Sequence, residues 1–322
     1  MVKKMLAAMA ALVIMGGMCS CKSSIPYNIK FIVEVSSTYI NENQSDNPMD
    51  SRFEEAYDQT YQILCHRLEL LGAEFESKKL PETHQYEFLI NAVEEGTDIS
   101  SLRNALRGTG KLEFWLVYKG RDAVRYLYEI DDYISRNKEC EGARLFDLLT
   151  VINTTESPVA ATAKLSDTVM INKMLKRAAE NEVYSWREIK FMWAAKPDTG
   201  NFISLYAIEV STRDGSPLLD GSCITDASYD EGYYGNEVNM SMSSNGASKW
   251  KRITGENVGR CIAITVDGYV YSAPCVNGEI AAGRSQITGD FTVEEARGLA
   301  TVFQTGFLPL PCRIVFEDSD HK

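Results

Sequence analysis

Residues 29–35 set apolar positions against polar ones in near alternation, with β-branched side chains prominent, which predicts a first strand. A polar stretch over 40–52, rich in Asn, Asp and Ser, predicts a loop. Over 53–71 the positions Phe53, Ala56, Tyr57, Leu64, Leu68 and Leu71 recur at helical spacing, and Gly72 supplies the stop. A second strand is expected at 86–92. A short helix follows, from an Asp98 cap to about 106, then the breaker Gly108-Thr109-Gly110 and a third strand over 111–118. The middle is a mixed block without repeats: helices at 121–137 and 166–180, strands at 190–194 and 202–210. From 237 onward strands and helices alternate again. A strand is expected at 238–242, a turn at Asn245-Gly246, a helix at 247–253 and a strand at 285–288. Thr292 and Glu295 form a capping-box pattern that opens a helix running to Gly306, and a last strand is expected at 313–316. The pattern predicts a split α/β sandwich with a separate lobe inserted after the third strand.

The chain has 322 residues, enough for about two domains. Its 45 acidic and 33 basic residues argue against nucleic acid as a partner, because phosphate binding needs a basic face. No apolar run reaches the roughly 20 residues of a spanning helix. The N-terminus reads as a secretion signal: Lys3 and Lys4, then an apolar stretch over 5–18. It ends in Ser20-Cys21, the pattern of a bacterial lipobox, so Cys21 is expected to become the lipid-bearing first residue of a mature protein. Cleavage there removes Lys3 and Lys4 and leaves no polybasic grip on anionic lipid. Acyl chains would then supply the membrane affinity, at about 0.8 kcal/mol per buried CH₂. Residues 21–27 read as a tether, and the expected location is the cell envelope, facing the periplasm.

That compartment permits disulfides. Six cysteines follow Cys21: Cys65, Cys140, Cys223, Cys261, Cys275 and Cys312. Asp267-Gly268 is a strong two-residue hairpin signal. A regular register from that turn puts Cys261 opposite Pro274, so Cys275 points to the other face and the pair Cys261–Cys275 is disfavoured. Buried free thiols are expected for most of the six.

The search for catalytic chemistry is negative. The three histidines, His66, His84 and His321, sit in no metal-ligand spacing, and there is no nucleophile elbow and no phosphate-binding loop. The expectation is a protein that is not an enzyme and needs no metal or cofactor. Tyr229, Tyr233 and Tyr234, set among Asp226, Asp230 and Glu231, offer apolar area with polar tips suited to polypeptide. The competing reading of 226–236 is a linker between lobe and base.

The stretch 237–317 resembles the large extracytoplasmic domain of the bacterial protein-export protein SecD. The residues that carry the resemblance are Asn245-Gly246-Ala247, Asn257-Val258-Gly259, Val266-Asp267-Gly268-Tyr269-Val270-Tyr271-Ser272-Ala273-Pro274, Gln286-Ile287-Thr288-Gly289 and Gly306-x-Leu308-Pro309-x-Pro311. More loosely, Leu64-x-x-Arg67-Leu68-x-x-Leu71-Gly72, Gly108-Thr109-Gly110-Lys111 and Phe191-Met192-Trp193 look like the family's earlier motifs, so the likeness covers roughly 28–317. It implies an α+β fold, a ferredoxin-like split α/β base with an inserted α+β head lobe. The base is expected at 28–118 and 229–317 and the head at 119–228, with a hinge at Tyr118, Lys119 and Gly120 and at Gly232 and Gly235. The family continues into membrane helices that use a proton gradient; this sequence ends at Lys322, so the expectation is a lipid-anchored module without a motor. The function implied is binding of exported or unfolded polypeptide, or docking on the Sec machinery, through an exposed sheet edge or an apolar groove. The alternative is an envelope interaction lipoprotein with no export role.

Overall fold

The computed structural model describes residues 24–35, 51–94, 97–137, 143–152, 157–198, 200–232, 235–288 and 291–319. Cys21, Cys140, Tyr233 and Tyr234 lie outside them. The first elements are β1 (Ser24–Val35), α1 (Ser51–Leu70), β2 (Ala73–Leu80), β3 (Gln85–Glu94) and α2 (Ile99–Leu106). Next come β4 (Leu112–Val117), α3 (Gly120–Asn137), α4 (Leu145–Leu148), β5 (Leu149–Val151), β6 (Val159–Lys164), α5 (Thr168–Glu180), β7 (Ile189–Trp193) and β8 (Phe202–Glu209). The chain continues through β9 (Leu219–Asp220), β10 (Ile224–Gly232), β11 (Gly235–Met242), α6 (Ser244–Glu256), β12 (Cys261–Val266), β13 (Tyr269–Ser272) and β14 (Arg284–Thr288). It ends with α7 (Val293–Thr305) and β15 (Cys312–Ser319).

Strands β1, β2, β3 and β15 form an antiparallel sheet in the order β15-β1-β3-β2. With α1 and α2 as its two crossovers, this is the ferredoxin-like split βαβ arrangement. Alternation puts Ile29, Phe31 and Val33 of β1 and Tyr86, Phe88 and Ile90 of β3 under the helices, where they meet Leu64, Leu68 and Leu102. Gly72, at φ +68°, ends α1 in a conformation that a Cβ would penalise. Asp98 caps α2 by accepting from Ser101 N–H at 2.8 Å, as its sequence predicts.

Everything from 107 to 311 is inserted between α2 and the last strand of that sheet. Strand β4, which the sequence suggests as the third strand of the base, instead joins an eight-stranded sheet in the order β13-β12-β4-β8-β6-β5, with β7 and β9 branching from β8 and β4. β6 and β4 share one side of β8, and β7 takes the other. β7 then meets β13 through a parallel bridge, Ala194 to Val270, with Ala195 N–H donating to Val270 O at 2.8 Å. Strands β4, β8, β7, β13 and β12 thereby close around Trp115, Val117, Ile208, Cys261, Ala263 and Val270. A lobe of α3 and α5 covers one end of this sheet. At the other end α6, α7 and the three-stranded sheet β10-β11-β14 pack on Phe114, Leu116, Ile262 and Ile264. No helix among the described residues is long and apolar enough to cross a membrane.

Three local expectations are corrected. Asn245-Gly246 lies in the first turn of α6, not in a turn before it; Ser243 is the cap, and a Cβ on Gly246 would stand 2.7 Å from that of Cys223. Residues 226–232 and 235–236 belong to the β10–β11 hairpin, not to a linker. Cys261 and Cys275 are joined by a disulfide. The turn is where the sequence puts it, with Asp267 and Gly268 at φ +51° and +80°, and Val266 pairs with Tyr269. A bulge then shifts the register, so Thr265 faces Val270 but Ile264 faces Ser272. The extra residue flips every later side chain of β13 and brings Cys275 onto Cys261. Cys65, Cys223 and Cys312 are free thiols. Mapping of the oxidised protein without reduction should recover a Cys261–Cys275 peptide pair, with Cys65, Cys223 and Cys312 alkylated after unfolding. Serine at both positions of the pair should cost about 2–4 kcal/mol of stability in denaturant titration.

Candidate functional site

Four of the motifs singled out in the sequence, around Arg67, Gly108-Thr109-Gly110-Lys111, Asp267 and Gly306, meet at the joint between the ferredoxin-like base and its insertion. Arg67 sits among the apolar positions of α1, one helical turn from Leu64 and Leu71, and is fully buried. Its Nη1 donates to Ala105 O at 3.2 Å and its Nε to Thr305 Oγ1 at 3.1 Å. Its Nη2 donates to Gly306 O at 2.8 Å and to Thr109 O at 3.3 Å. The acceptors lie in the last turn of α2, the 108–110 breaker and the end of α7, so one guanidinium ties three segments together. Burial pulls the guanidinium down to about 10, opposed by the charge of Asp267, so Arg67 remains a cation at neutral pH.

Asp267 closes the joint from the other side. At the tip of the β12–β13 hairpin, its carboxylate accepts from the N–H groups of Thr109, Gly110 and Lys111, each at 3.0 Å, and from the Thr109 hydroxyl. Three successive amides can converge on one carboxylate only because Gly108 and Gly110 adopt φ near +70°. A Cβ on Gly110 would stand 2.5 Å from Arg67 Nη2 and 2.6 Å from Val302 Cγ1. A second fastening joins α7 to the base: Arg297 donates to Glu94 Oε2 and to Thr97 Oγ1, both at 2.7 Å.

The residues expected to bind or to bend fall elsewhere. Tyr229 lies on the inner face of β10, half-buried against the core beside Val238, so its ring is packing material. Gly232 and Gly235 face one another at the end of the β10–β11 hairpin. The Tyr118 ring lies 5.7 Å from that of Tyr126, tilted by 45°, and its backbone N–H donates to Ala207 O at 2.8 Å. Lys119 Nζ reaches Gly259 O at 3.3 Å, and Gly120 opens α3 at φ +51°. Residues 118–120 therefore form a pinned corner between β4 and α3. The chain crosses from base to insertion at 107–111 and returns at 306–311.

Two further features were not singled out from the sequence. Inside the closed strands Lys190 Nζ stands 4.2 Å above the Trp115 ring and donates to Gly215 O. Trp115 Nε1 donates to Glu113, which also pairs with Lys111 at 2.7 Å. Burial lowers the Lys190 ammonium, while Glu113 opposes the shift. The group is satisfied internally and holds no nucleophile with a base. Among the described residues no group of three or more His, Cys, Asp or Glu could hold a metal ion. The second feature is a groove of about 450 Å³ between α2 and β15, lined by Arg103, Arg107, Arg313, Val315, Phe316 and Glu317. Period-2 reading of 313–316 could have found it, because Val315 and Phe316 are adjacent apolar residues and both are exposed.

The fastening is testable. Gly110→Ala should cost roughly 2–4 kcal/mol, from the left-handed backbone and the crowding of Arg67. Asp267→Asn keeps the turn but loses the charge on three amides, and should cost about 1–2 kcal/mol, both read from denaturant midpoints.

Residues 206–310 match the family model of the SecDF P1 head subdomain. That segment runs from β8 to the end of the 306–310 return, across the 228/229 boundary expected between head and base. The protein translocase subunit SecD of Rhodothermus marinus is 39% identical over 156 residues, 47% of this chain and 24% of the relative. The protein translocase subunit SecDF of Thermus thermophilus is 37% identical over 101 residues, 31% of this chain and 14% of the relative. The chain thus spans under a third of the length of these curated relatives. A crystal structure of SecDF in a super-membrane-facing form superposes with a TM-score of 0.48 at 18% identity, covering 91% of this chain and 30% of that one. The resemblance read from the motifs is borne out: the chain is similar to the SecD and SecDF protein translocase subunits, and its residues 206–310 match their P1 head subdomain.

Proposed function

We propose that this chain is a non-catalytic accessory module of Sec-type protein export. It is held at a membrane through a lipid on Cys21, faces the periplasm, and binds exported or unfolded polypeptide or docks on the export machinery. The observation that carries this reading is the 39% identity over 156 residues to a protein translocase subunit. The geometry supports it in one respect. Arg67, Gly110 and Asp267 are engaged in fastening base to insertion, which leaves sheet edges and lobe surfaces for contacts with other chains. Strand addition and apolar capture need no catalytic group. The lobe exposes Trp186 and Tyr128, and the base exposes Phe316. Each is a large aromatic side chain with exposed area available for contact.

In vivo photocrosslinking from Trp186, Tyr128 and Phe316 should yield adducts with the translocation channel or with chains in transit. Recovery of outer-membrane proteins alone would assign the chain to envelope architecture instead. Cys21→Ala should move the protein from the membrane fraction to the soluble periplasmic fraction. Unchanged membrane retention would remove the lipid anchor from the account.

A further inference from the structure

Strand β15 is an edge of the ferredoxin-like sheet. One side pairs with β1 from Ile29–Ser319 to Val35–Cys312. On the other side Gly108 pairs with Cys312 alone, exchanging hydrogen bonds of 3.0 and 3.4 Å. Beyond Cys312, among the described residues, no strand pairs with that side of β15. Helix α2 runs beside the open edge and completes the groove, so the molecule presents an unpaired strand, a flanking helix and a concave space between them. This is the geometry in which an extended peptide adds to a sheet.

The charges around the groove select the guest. The protein is acidic overall, with a formal net charge of −12, yet this groove gathers three arginines. Arg103 holds Glu317 with a two-pronged contact of 2.8 and 2.6 Å, and Arg313 holds Glu34 on the other face of the sheet. Arg107 is exposed and has no carboxylate partner among the described residues. A strand laid along β15 alternates its side chains between two faces. Those on the helix side would meet Arg103 and Arg107. Those on the outer face would meet Phe316, which is 47% exposed, and the Arg313 stem. At Val315 the strand carries one residue more than β1, so the ladder of β15 is regular on either side of that residue. A second copy of the chain would also set arginine against arginine, a repulsion that disfavours self-pairing.

We propose that the β15 edge binds an extended polypeptide segment carrying carboxylate side chains, as a fifth strand whose acids face Arg107, the one of the three arginines without a carboxylate partner among the described residues. The proposal rests on the reading that the domain handles extended polypeptide, and it names where and with what preference.

The test measures binding of short fluorescent peptides to the full chain: one alternating glutamate and valine, one alternating lysine and valine. The acidic peptide should bind more tightly, and added salt should weaken it. Arg107→Glu should reduce its affinity about tenfold or more, the scale of a reversed charge at an interface. Arg107→Lys should retain most of it, and Arg136→Glu on α3, away from the groove, should leave it unchanged. Melting curves of the variants should coincide. Equal binding of both peptides, or equal losses from Arg107→Glu and Arg136→Glu, would overturn the proposal. So would a dimer in sedimentation that Arg107→Glu dissociates, since the edge would then be a self-interface. If neither peptide binds while crosslinks to exported chains persist from other surfaces, the edge proposal fails and the export reading stands. If the acidic peptide binds and no export partner is crosslinked, the reverse holds.

Discussion

The buried guanidinium of Arg67 is the constraint on which the rest of the molecule depends. A cation taken out of water loses several kcal/mol of hydration and must be repaid in hydrogen bonds. Here the acceptors are three backbone carbonyls and a threonine hydroxyl, and they come from α2, the 108–110 breaker and the end of α7. The first two are neighbours in sequence, and the third lies some two hundred residues further on. The cost of leaving Arg67 unsatisfied therefore holds the base and a two-hundred-residue insertion in one arrangement. Asp267 adds the complementary anion without touching the guanidinium: it gathers the amides of the same breaker whose carbonyl Arg67 uses. The glycines follow from this crowding, because at 110 there is no room for a side chain.

The local elements were largely legible in the sequence, and so was the family. The 3.6-residue pattern of α1, the Asp98 cap, the Thr292–Glu295 box and the Asp267-Gly268 turn each act over a few residues, and each forms as its residues dictate. What was not legible depends on partners distant in sequence. β2 has a largely polar sequence and is a strand because β3 offers it an edge. β4 reads equally well as a base strand or an insertion strand, since either sheet would bury Phe114 and Trp115. The bulge that unites Cys261 with Cys275 adds one residue to a pairing that the turn alone leaves regular. Tyr229 shows the same limit: its acidic neighbours suggest an exposed aromatic, but strand alternation turns the ring inward.

Arg67 itself carried a sequence signal. It interrupts the apolar stripe of a helix whose neighbours at one-turn spacing, Leu64 and Leu71, are fully buried. A charge in such a position must either reach solvent along its stem or find polar partners inside. The position alone does not identify those partners. This division also separates resemblance from recognition. Arg67, Gly110 and Asp267, which lie in motifs that carry the resemblance, fix one domain on another, while contacts with other molecules must use surfaces that this fastening leaves exposed.

Native-state hydrogen exchange tests the fastening most directly, because it reads the opening free energy at single amides. The amides of Thr109, Gly110 and Lys111, held by the Asp267 carboxylate, should exchange only when the whole chain unfolds, with the same protection as Phe31 in the base and Ile264 in the insertion. Exchange of those three amides through a low-energy opening, while both cores stay protected, would show two bodies joined by a loose hinge and would contradict the account.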